Sequence, residues 1–457
     1  MFMKAISLFA SGGIGDLALK ANEIDIIVAN ELLEDRCKVL EYNYTDTKVI
    51  KGDIRIKKKE IILQAEIILK NEILDILYAT PPCQGMSKNG RGTILNNIRK
   101  GLRPNLDERN RLIIPVIEIA KELKPRIIIL ENVPEMQDTI IETPNGEYKT
   151  ILDFIKDELG NEYNGNAEVV EFADYGVPQK RQRLITVFTR EKNIIDFFKI
   201  TKTFLPSRTH KNLEKSNGIA KWVTLKDVIA DLPKLDAKNK ELATSDIEFH
   251  NVPLLDKEKY FWVSNTKLEK SAFDNQCIEC GSQENTTHGS SHDNEGINRS
   301  NTSTPIRCVK CKSLLPRPWV KEDGEYRLMK GFTSAYKRMK WNSPANALTT
   351  NLSYACSDSK IHPDQNRVLS LYEAFIVHTI SDFDYHWKRN DNKKVSNKTI
   401  REIIGESIPP RGLKIIVQHL CKLLNNESIE DIIFENNFEN QYVLFEPNTV
   451  YSNSALL

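Results

Sequence analysis

Long apolar runs are missing from this 457-residue sequence. None approaches the roughly 18 residues of a membrane-crossing helix. The N-terminal MFMKAISLFASGG has too short an apolar stretch for a signal peptide. It reads as a first strand entering a glycine loop, so the expectation is a cytoplasmic chain. Net charge is nearly absent at +1, so overall charge names no partner. No internal repeat is visible, which excludes a solenoid. A disulfide framework is also missing. Four of the eight cysteines form two CxxC pairs, Cys277/Cys280 and Cys308/Cys311, and Cys37, Cys83, Cys356 and Cys421 are scattered. In a cytosolic chain that usage points to metal and catalysis.

Enough apolar sequence is present to build a core. Hydrophobic residues make up 40% and charged residues 28%, which excludes a wholly disordered chain. The length fits two large or about three smaller domains. Charge is local. Residues 87–111 carry seven Lys or Arg against two acids, and residues 307–340 carry ten against three. After Lys422 every charged residue is acidic. Two basic segments on a neutral chain suit a polyanion at chosen surfaces. Either segment alone is also what an ordinary solvated face looks like.

The first 190 residues alternate strand and helix patterns, which implies a doubly wound α/β sheet. Strands are expected at Ala5–Phe9, Ile24–Ala29, Lys48–Ile50, Leu74–Ala79, Arg126–Leu130, Val169–Phe172 and Leu184–Phe188. Helices are expected at Asp16–Ala21, Leu112–Leu123, Leu369–Thr379 and Arg411–Leu424. Ligands of such sheets sit beyond the carboxyl ends of the strands. Gly13, Glu31, Asp53, Cys83 and Glu131 all fall there. The glycine loop followed by Glu31 is a nucleotide-binding layout, in which the carboxylate accepts bonds from ribose hydroxyls. By itself the loop reads more readily as a plain tight turn. Asp53 suits an adenine amino group, or a helix N-cap.

Pro81-Pro82-Cys83-Gln84-Gly85 is more specific. A cysteine after a strand, in a polar and basic loop, favours the nucleophilic thiolate over a small buried residue. Glu131-Asn132-Val133 follows the next strand and would set a carboxyl beside that loop. In Gln179-Lys180-Arg181-Gln182-Arg183 two arginines stand at i and i+2, so on an extended segment both would face one way.

Together these residues resemble the DNA (cytosine-5)-methyltransferases of bacterial restriction-modification systems. The blocks run in the family's order through Phe9-Ala10-Ser11-Gly12-Gly13-Ile14-Gly15, Glu31, Gly52-Asp53-Ile54, Pro82-Cys83-Gln84 and Asp107-Glu108-Arg109-Asn110-Arg111-Leu112. They continue through Glu131-Asn132-Val133, Gln179 to Arg183, Arg338, Pro344, Leu348-Thr349-Thr350, His362-Pro363, Arg367 and Ile404-Gly405-Glu406-Ser407-Ile408-Pro409-Pro410. Residues 5–189 and 336–420 are covered. Two departures stand out. Ser11 replaces the loop's usual first glycine, which requires a negative φ or tolerated strain. Glu406 replaces a common asparagine and brings a carboxylate near the cofactor.

The resemblance implies a Rossmann-like methyltransferase sheet with a smaller, irregular target-recognition domain. It implies S-adenosylmethionine as cofactor, held by Phe9, Gly12, Gly13, Gly15, Glu31, Asp53, Ile54, Pro82 and Ser407. Its catalytic set would be Cys83 as nucleophile at cytosine C6, Glu131 as the acid at N3, Arg183 at O2, and Arg181 on a loop or a backbone phosphate. The base would be flipped out of duplex DNA, with the stretch Ser87–Arg111 closing over the backbone. The chain is expected to divide into a catalytic and cofactor-binding domain (1–190), a target-recognition domain (191–335), a return to the catalytic domain (336–422) and an acidic tail (423–457). Family habit adds a companion restriction endonuclease acting separately, a monomer, and attachment to the nucleoid through DNA. The alternatives are an RNA (tRNA) cytosine-5 methyltransferase, against which the long recognition segment speaks, and a silent DNA-binding module, against which the intact catalytic set speaks.

The pairs Cys277/Cys280 and Cys308/Cys311 have the spacing of a four-cysteine structural zinc site. A redox pair and coincidence are the other readings. A turn-like Gly281 or Lys312-Ser313 follows each pair, as in zinc ribbons, making the element 277–311. His288 and His292, in the polar loop between the pairs, read as solvated.

Overall fold

The computed structural model describes residues 2–82, 106–212, 219–287, 290–292, 298–300, 304–329 and 334–435. Cys83, the part of the basic segment before residue 106, His288 and residues 436–457 of the tail lie outside the described residues.

Seven strands form one sheet: β1 (Met3–Leu8), β2 (Ile24–Glu31), β3 (Lys48–Lys51), β4 (Ile76–Ala79), β5 (Ile127–Asn132), β6 (Asn164–Glu171) and β7 (Gln182–Thr189), in the order β3-β2-β1-β4-β5-β7-β6. The pairs from β3 to β5 are parallel, and β7 runs antiparallel to both β5 and β6. Strand order reverses between β1 and β4, so the ends of those two strands open a crevice for a ligand.

Both faces of the sheet are covered, and the strand residues alternate between two cores. Ala5, Ile76, Tyr78, Ile127 and Ile129 face one core, while Ile6, Leu8, Leu77, Ala79, Ile128 and Leu130 face the other. The helices that bear on the sheet and the site are α1 (Asp16–Lys20), α2 (Glu34–Asn43), α3 (Ile54–Leu69), α4 (Ile113–Leu123), α5 (Ile151–Leu159), α6 (Lys192–Thr201), α7 (Leu371–Val377), α8 (Asn397–Glu406) and α9 (Pro410–Leu424). On one side α3 buries Ile61, Ala65 and Leu69 against the apolar face of α4. On the other, α9 buries Leu413, Ile416, Val417, Leu420 and Leu424 over α1 and α6. That spacing keeps one face of α9 inward.

The chain leaves the sheet after α6 and returns to it. Leu225 and Ile229 still pack in the sheet's core. A separate core gathers Trp262, Phe273, Trp319, Tyr336, Ile361 and Val368. Trp262 meets Trp319 and Tyr336 edge to face, with centroids 5.1 and 5.5 Å apart, an arrangement that aromatic quadrupoles favour. The return is stitched by a short parallel pair, Ala345–Asn346 beside Gln179–Lys180.

Candidate active site

The crevice is a cleft of about 550 Å³, within the range of small-molecule sites. Phe9, Gly15, Glu31, Asp53, Ile54, Pro82, Glu131, Arg183 and Ser407 all line it. They come from the carboxyl ends of β1 to β5, from the start of β7 and from the end of α8.

The loop after β1 is tightly folded. Phe9 and Ser11 have φ of 59° and 51°, so Ser11 takes the tolerated-strain route. Its N–H donates to Glu31 Oε2 at 2.9 Å, and the N–H of Leu33 donates to Oε1 at 2.9 Å. Glu31 thereby joins the glycine loop to the end of β2. Burial raises its pKa, against the opposing backbone N–H groups and Arg36. Gly12 and Gly13 shape the loop without lining the cleft. Gly13 has φ +81°, and a Cβ there would lie 2.4 Å from Tyr44 Cε2, so no larger residue fits.

Asp53 caps α3 by accepting the Arg55 N–H at 2.9 Å, and its carboxylate pairs with the Arg55 guanidinium. It borders the cleft in that paired state.

The cysteine loop and the glutamate strand are linked by Asn132. Its Nδ2 donates to the Pro81 carbonyl at 3.0 Å, while its Oδ1 accepts the Val133 N–H at 2.8 Å. Pro82, the last described residue before Cys83, therefore lies beside Glu131 in the cleft wall.

Glu131 is 5% exposed and forms an ion pair with Arg183, Nε to Oε1 at 2.7 Å. Burial raises its pKa, and Arg183 followed by Arg181 pulls it back. The carboxyl is thus biased toward the protonated form that a hydrogen-bond donor needs. Arg181 is 1% exposed and does not line the cleft. Its guanidinium donates to the carbonyls of Leu348 and Gly405 at 2.7 and 2.8 Å. The two arginines share an influence on Glu131 but do different work. Arg183 faces the cleft, and Arg181 ties the returning chain to β7.

That returning chain closes the site. At Gly405 a Cβ would lie 2.2 Å from the Thr350 backbone nitrogen, so glycine alone permits the approach. Tyr385 donates its hydroxyl to the Gly12 carbonyl at 2.7 Å. Glu406 pairs with Arg36 at 2.7 Å, joining α8 to α2 at the cleft.

Some cleft residues gave no sequence signal. Asp16 is buried, accepts the Ser7 hydroxyl at 2.6 Å, and has its pKa raised to about 7 by desolvation. Asp16 reads in sequence as an ordinary first-turn helix residue, and Arg36 belongs to no motif. Only packing shows that they face a ligand site.

A match to the family described as C-5 cytosine-specific DNA methylase runs from residue 3 to residue 422. The chain belongs to that family. The type II methyltransferase M1.HgaI of Avibacterium volantium is 29% identical over 429 residues, which is 93% of this chain and 98% of that protein. The type II methyltransferase M.HhaI of Haemophilus parahaemolyticus is 27% identical over 246 residues, 54% of this chain and 64% of that one. The crystal structure of S. pombe Dnmt2 methyltransferase superposes with a TM-score of 0.52 at 12% identity, covering 93% of this chain and 100% of that one; this likeness shows the fold alone. As a C-5 cytosine-specific DNA methylase, the chain has the fold, the family and the type of reaction that its motifs imply. The RNA and silent-module alternatives gain no support. No helix among the described residues is long and apolar enough to cross a membrane.

The four cysteines of the middle segment converge. Their Sγ atoms all lie within 4.8 Å of one another, with Cys277–Cys311 at 3.5 Å and Cys280 at 3.6 Å from both Cys277 and Cys308. Zinc–sulfur bonds of about 2.3 Å in a tetrahedron put sulfurs about 3.8 Å apart. The two halves are built alike. The N–H of Cys277 donates to the Ser282 carbonyl and that of Cys308 to the Ser313 carbonyl, and Gly281 and Lys312 both turn with positive φ. Backbone donors pull the thiol pKa of Cys277 and of Cys308 down, while the neighbouring cysteine sulfurs push that of Cys280 up. It is the convergence of four sulfurs at near-tetrahedral spacing that fits a cation binding thiolates. Below it, the buried Arg317 bonds the carbonyls of Asn275, Thr286 and Pro305 at 2.7 to 2.9 Å, which draws together both ends of the intervening loop.

Proposed function

We propose that this chain methylates C5 of a flipped cytosine in a specific duplex DNA sequence, with S-adenosylmethionine in the cleft. The observation that carries the reading is Glu131, a buried carboxyl with a raised pKa, paired with Arg183 in a cleft whose wall also includes Pro82, Glu31 and Ser407. Bound there, S-adenosylmethionine supplies an electrophilic methyl group. Glu31 accepts from ribose hydroxyls, and the glycine loop lets the backbone approach the ligand. Cys83 adds to cytosine C6. Glu131 gives a hydrogen bond or proton to N3, so the charge that develops on the ring is neutralised and C5 becomes nucleophilic. Arg183 binds O2. C5 takes the methyl group as its bond to the cofactor sulfur breaks, leaving S-adenosylhomocysteine. A base then takes the C5 proton, and the Cys83 sulfur leaves. Arg181 acts by holding Leu348 and Gly405, since its buried guanidinium is turned inward and not toward a phosphate. Bisulfite sequencing of DNA from a host expressing the chain would show one methylated sequence context. A pattern indistinguishable from that of a Cys83→Ser control would remove the proposal.

Two further expectations follow for the ligands. Glu31→Ala should weaken S-adenosylhomocysteine binding by about 1–3 kcal/mol, the range for stranding a buried polar group. Calorimetry reads this directly, and unchanged affinity would mean that the β2 end is not a cofactor contact. The cysteine cluster is proposed to hold one structural zinc. Elemental analysis should find one zinc per chain. Cys277→Ser or Cys308→Ser should lower both metal content and thermal stability, because metal binding and local folding are linked. Specific DNA binding should be lost, while salt-dependent non-specific binding persists. Normal methylation with all four cysteines replaced would reduce the cluster to coincidence.

Residues 191–335 are proposed to read the DNA sequence. In the basic stretch 307–340, Arg317 and Arg338 are buried on backbone carbonyls, and the exposed Arg307, Lys310, Lys312, Lys321 and Lys340 suit the phosphate backbone. A companion endonuclease acting on the same sequence, and a monomeric enzyme, complete the proposal.

A further inference from the structure

The mechanism leaves the buried His378 without a part. His378 caps the C-terminus of α7, is 0% exposed, and stands between Gln179 and Ser407. Its proton can be placed from its neighbours. The Leu348 N–H donates to Gln179 Oε1 at 2.9 Å, which fixes the amide's orientation. Gln179 Nε2 then faces His378 Nδ1 at 3.1 Å and the Val377 carbonyl at 3.5 Å. An amide nitrogen only donates, so Nδ1 accepts, and the neutral ring carries its hydrogen on Nε2. That nitrogen is 2.9 Å from Ser407 Oγ. Ser407 is therefore the acceptor in this contact, and its own hydrogen is left for another group. In the structure the hydroxyl points it at the Ile404 carbonyl, a contact of 3.2 Å.

The ring stays neutral. Its pKa lies well below the ordinary value, chiefly through desolvation and then through the charges of Arg181 and Arg183, opposed by a backbone contact at Ile408. The chain Leu348–Gln179–His378–Ser407 thus has one proton arrangement. A serine hydroxyl normally serves as donor or acceptor alike, and here the choice is made for it.

We propose that His378 is a positioning residue that makes Ser407 a dedicated hydrogen-bond donor to the carboxylate of S-adenosylmethionine. This rests on reading the cleft as the cofactor site. Of the groups on that molecule, the carboxylate is the one that is anionic and accepts only, whereas the ribose hydroxyls suit the acceptor Glu31.

The test compares S-adenosylhomocysteine with 5′-methylthioadenosine, which lacks the amino-acid end, by calorimetry on the full chain. Ser407→Ala and His378→Ala should each weaken S-adenosylhomocysteine roughly tenfold, and the double variant little further, because both remove one bond. 5′-Methylthioadenosine should bind all variants as it binds the parent. His378→Gln, whose amide nitrogen reaches the place of Nε2, should keep near-parental affinity. His378→Asn, which keeps a partner for Gln179 but is too short to reach Ser407, should behave like the alanine variant and guards against a folding defect. Equal losses for both ligands, additive losses in the double variant, or parental affinity in His378→Asn would overturn the proposal. Failure of the parent chain to bind either ligand would instead overturn the cofactor reading.

Discussion

Replacing Cys83 with serine is expected to abolish methyl transfer and leave S-adenosylhomocysteine affinity unchanged. The hydroxyl is nearly isosteric but is a far weaker nucleophile than a thiolate. The loop that carries residue 83 is anchored from the far side, through Pro81 and Asn132, and that anchor does not depend on the sulfur. A duplex carrying 5-fluorocytosine should trap a covalent adduct, because fluorine at C5 cannot leave as a proton does. Peptide mapping should place the adduct at Cys83. The assignment is falsified if it maps to any other cysteine.

The second large effect is expected at Glu131. Glu131→Gln keeps the shape and an N–H donor but has no proton to give, so turnover should fall about 10²–10⁴-fold, the usual weight of general acid–base help. Affinity for S-adenosylhomocysteine should hold, since Glu31 and the glycine loop lie on other strands. The pH profile offers a finer check. Glu131 acts in its protonated form, so rate should fall as pH rises through its pKa. Arg183 holds that pKa down against burial. Replacing Arg183 with an uncharged residue should therefore move the alkaline limb to higher pH, besides lowering turnover. An alkaline limb that stays in place, or near-normal turnover in Glu131→Gln, would remove Glu131 as the acid.

The parallel strands were legible in the sequence because their residues are buried on both faces. Runs such as Ile127–Leu130 need no alternation to be recognised. Helices α4 and α9 showed themselves by apolar spacing. Helix α3 did not, because Ile56, Leu63 and Ile67 are exposed on its outer side and apolar residues therefore ring it. The short helix α5 was also missed, as was α8, whose burial rests on Ile400, Ile403 and Ile404. Cleft-lining residues next to strand ends could be found by position alone. The separate duties of Arg181 and Arg183 could not. Two residues apart on an extended segment, they were expected to point alike, yet one meets the returning loop and the other meets Glu131. Asp53 shows a different limit, since an acid at a strand end can cap the next helix and border a ligand at once. The four cysteines were legible from spacing, but the buried Arg317 beneath them has no local motif, because its partners are carbonyls 12 to 42 positions away.

The cleft is made from both ends of the chain. Tyr385 bonds Gly12 across 373 positions, Arg36 meets Glu406 across 370, and Asn22 reaches Lys414 across 392. On a ribosome adding ~5–20 residues per second, the glycine loop emerges roughly 20–80 s before the segment that finishes its pocket. Once Thr189 has been added the nascent chain has all the strands of its sheet but still lacks the residues of α8 and α9. A polypeptide abandoned between Thr189 and Gly405 would carry the nucleophile and the acid and still have an open cofactor site. Synthesis itself therefore acts as a timer: no partial product should mark the genome, and methylation begins with completed molecules.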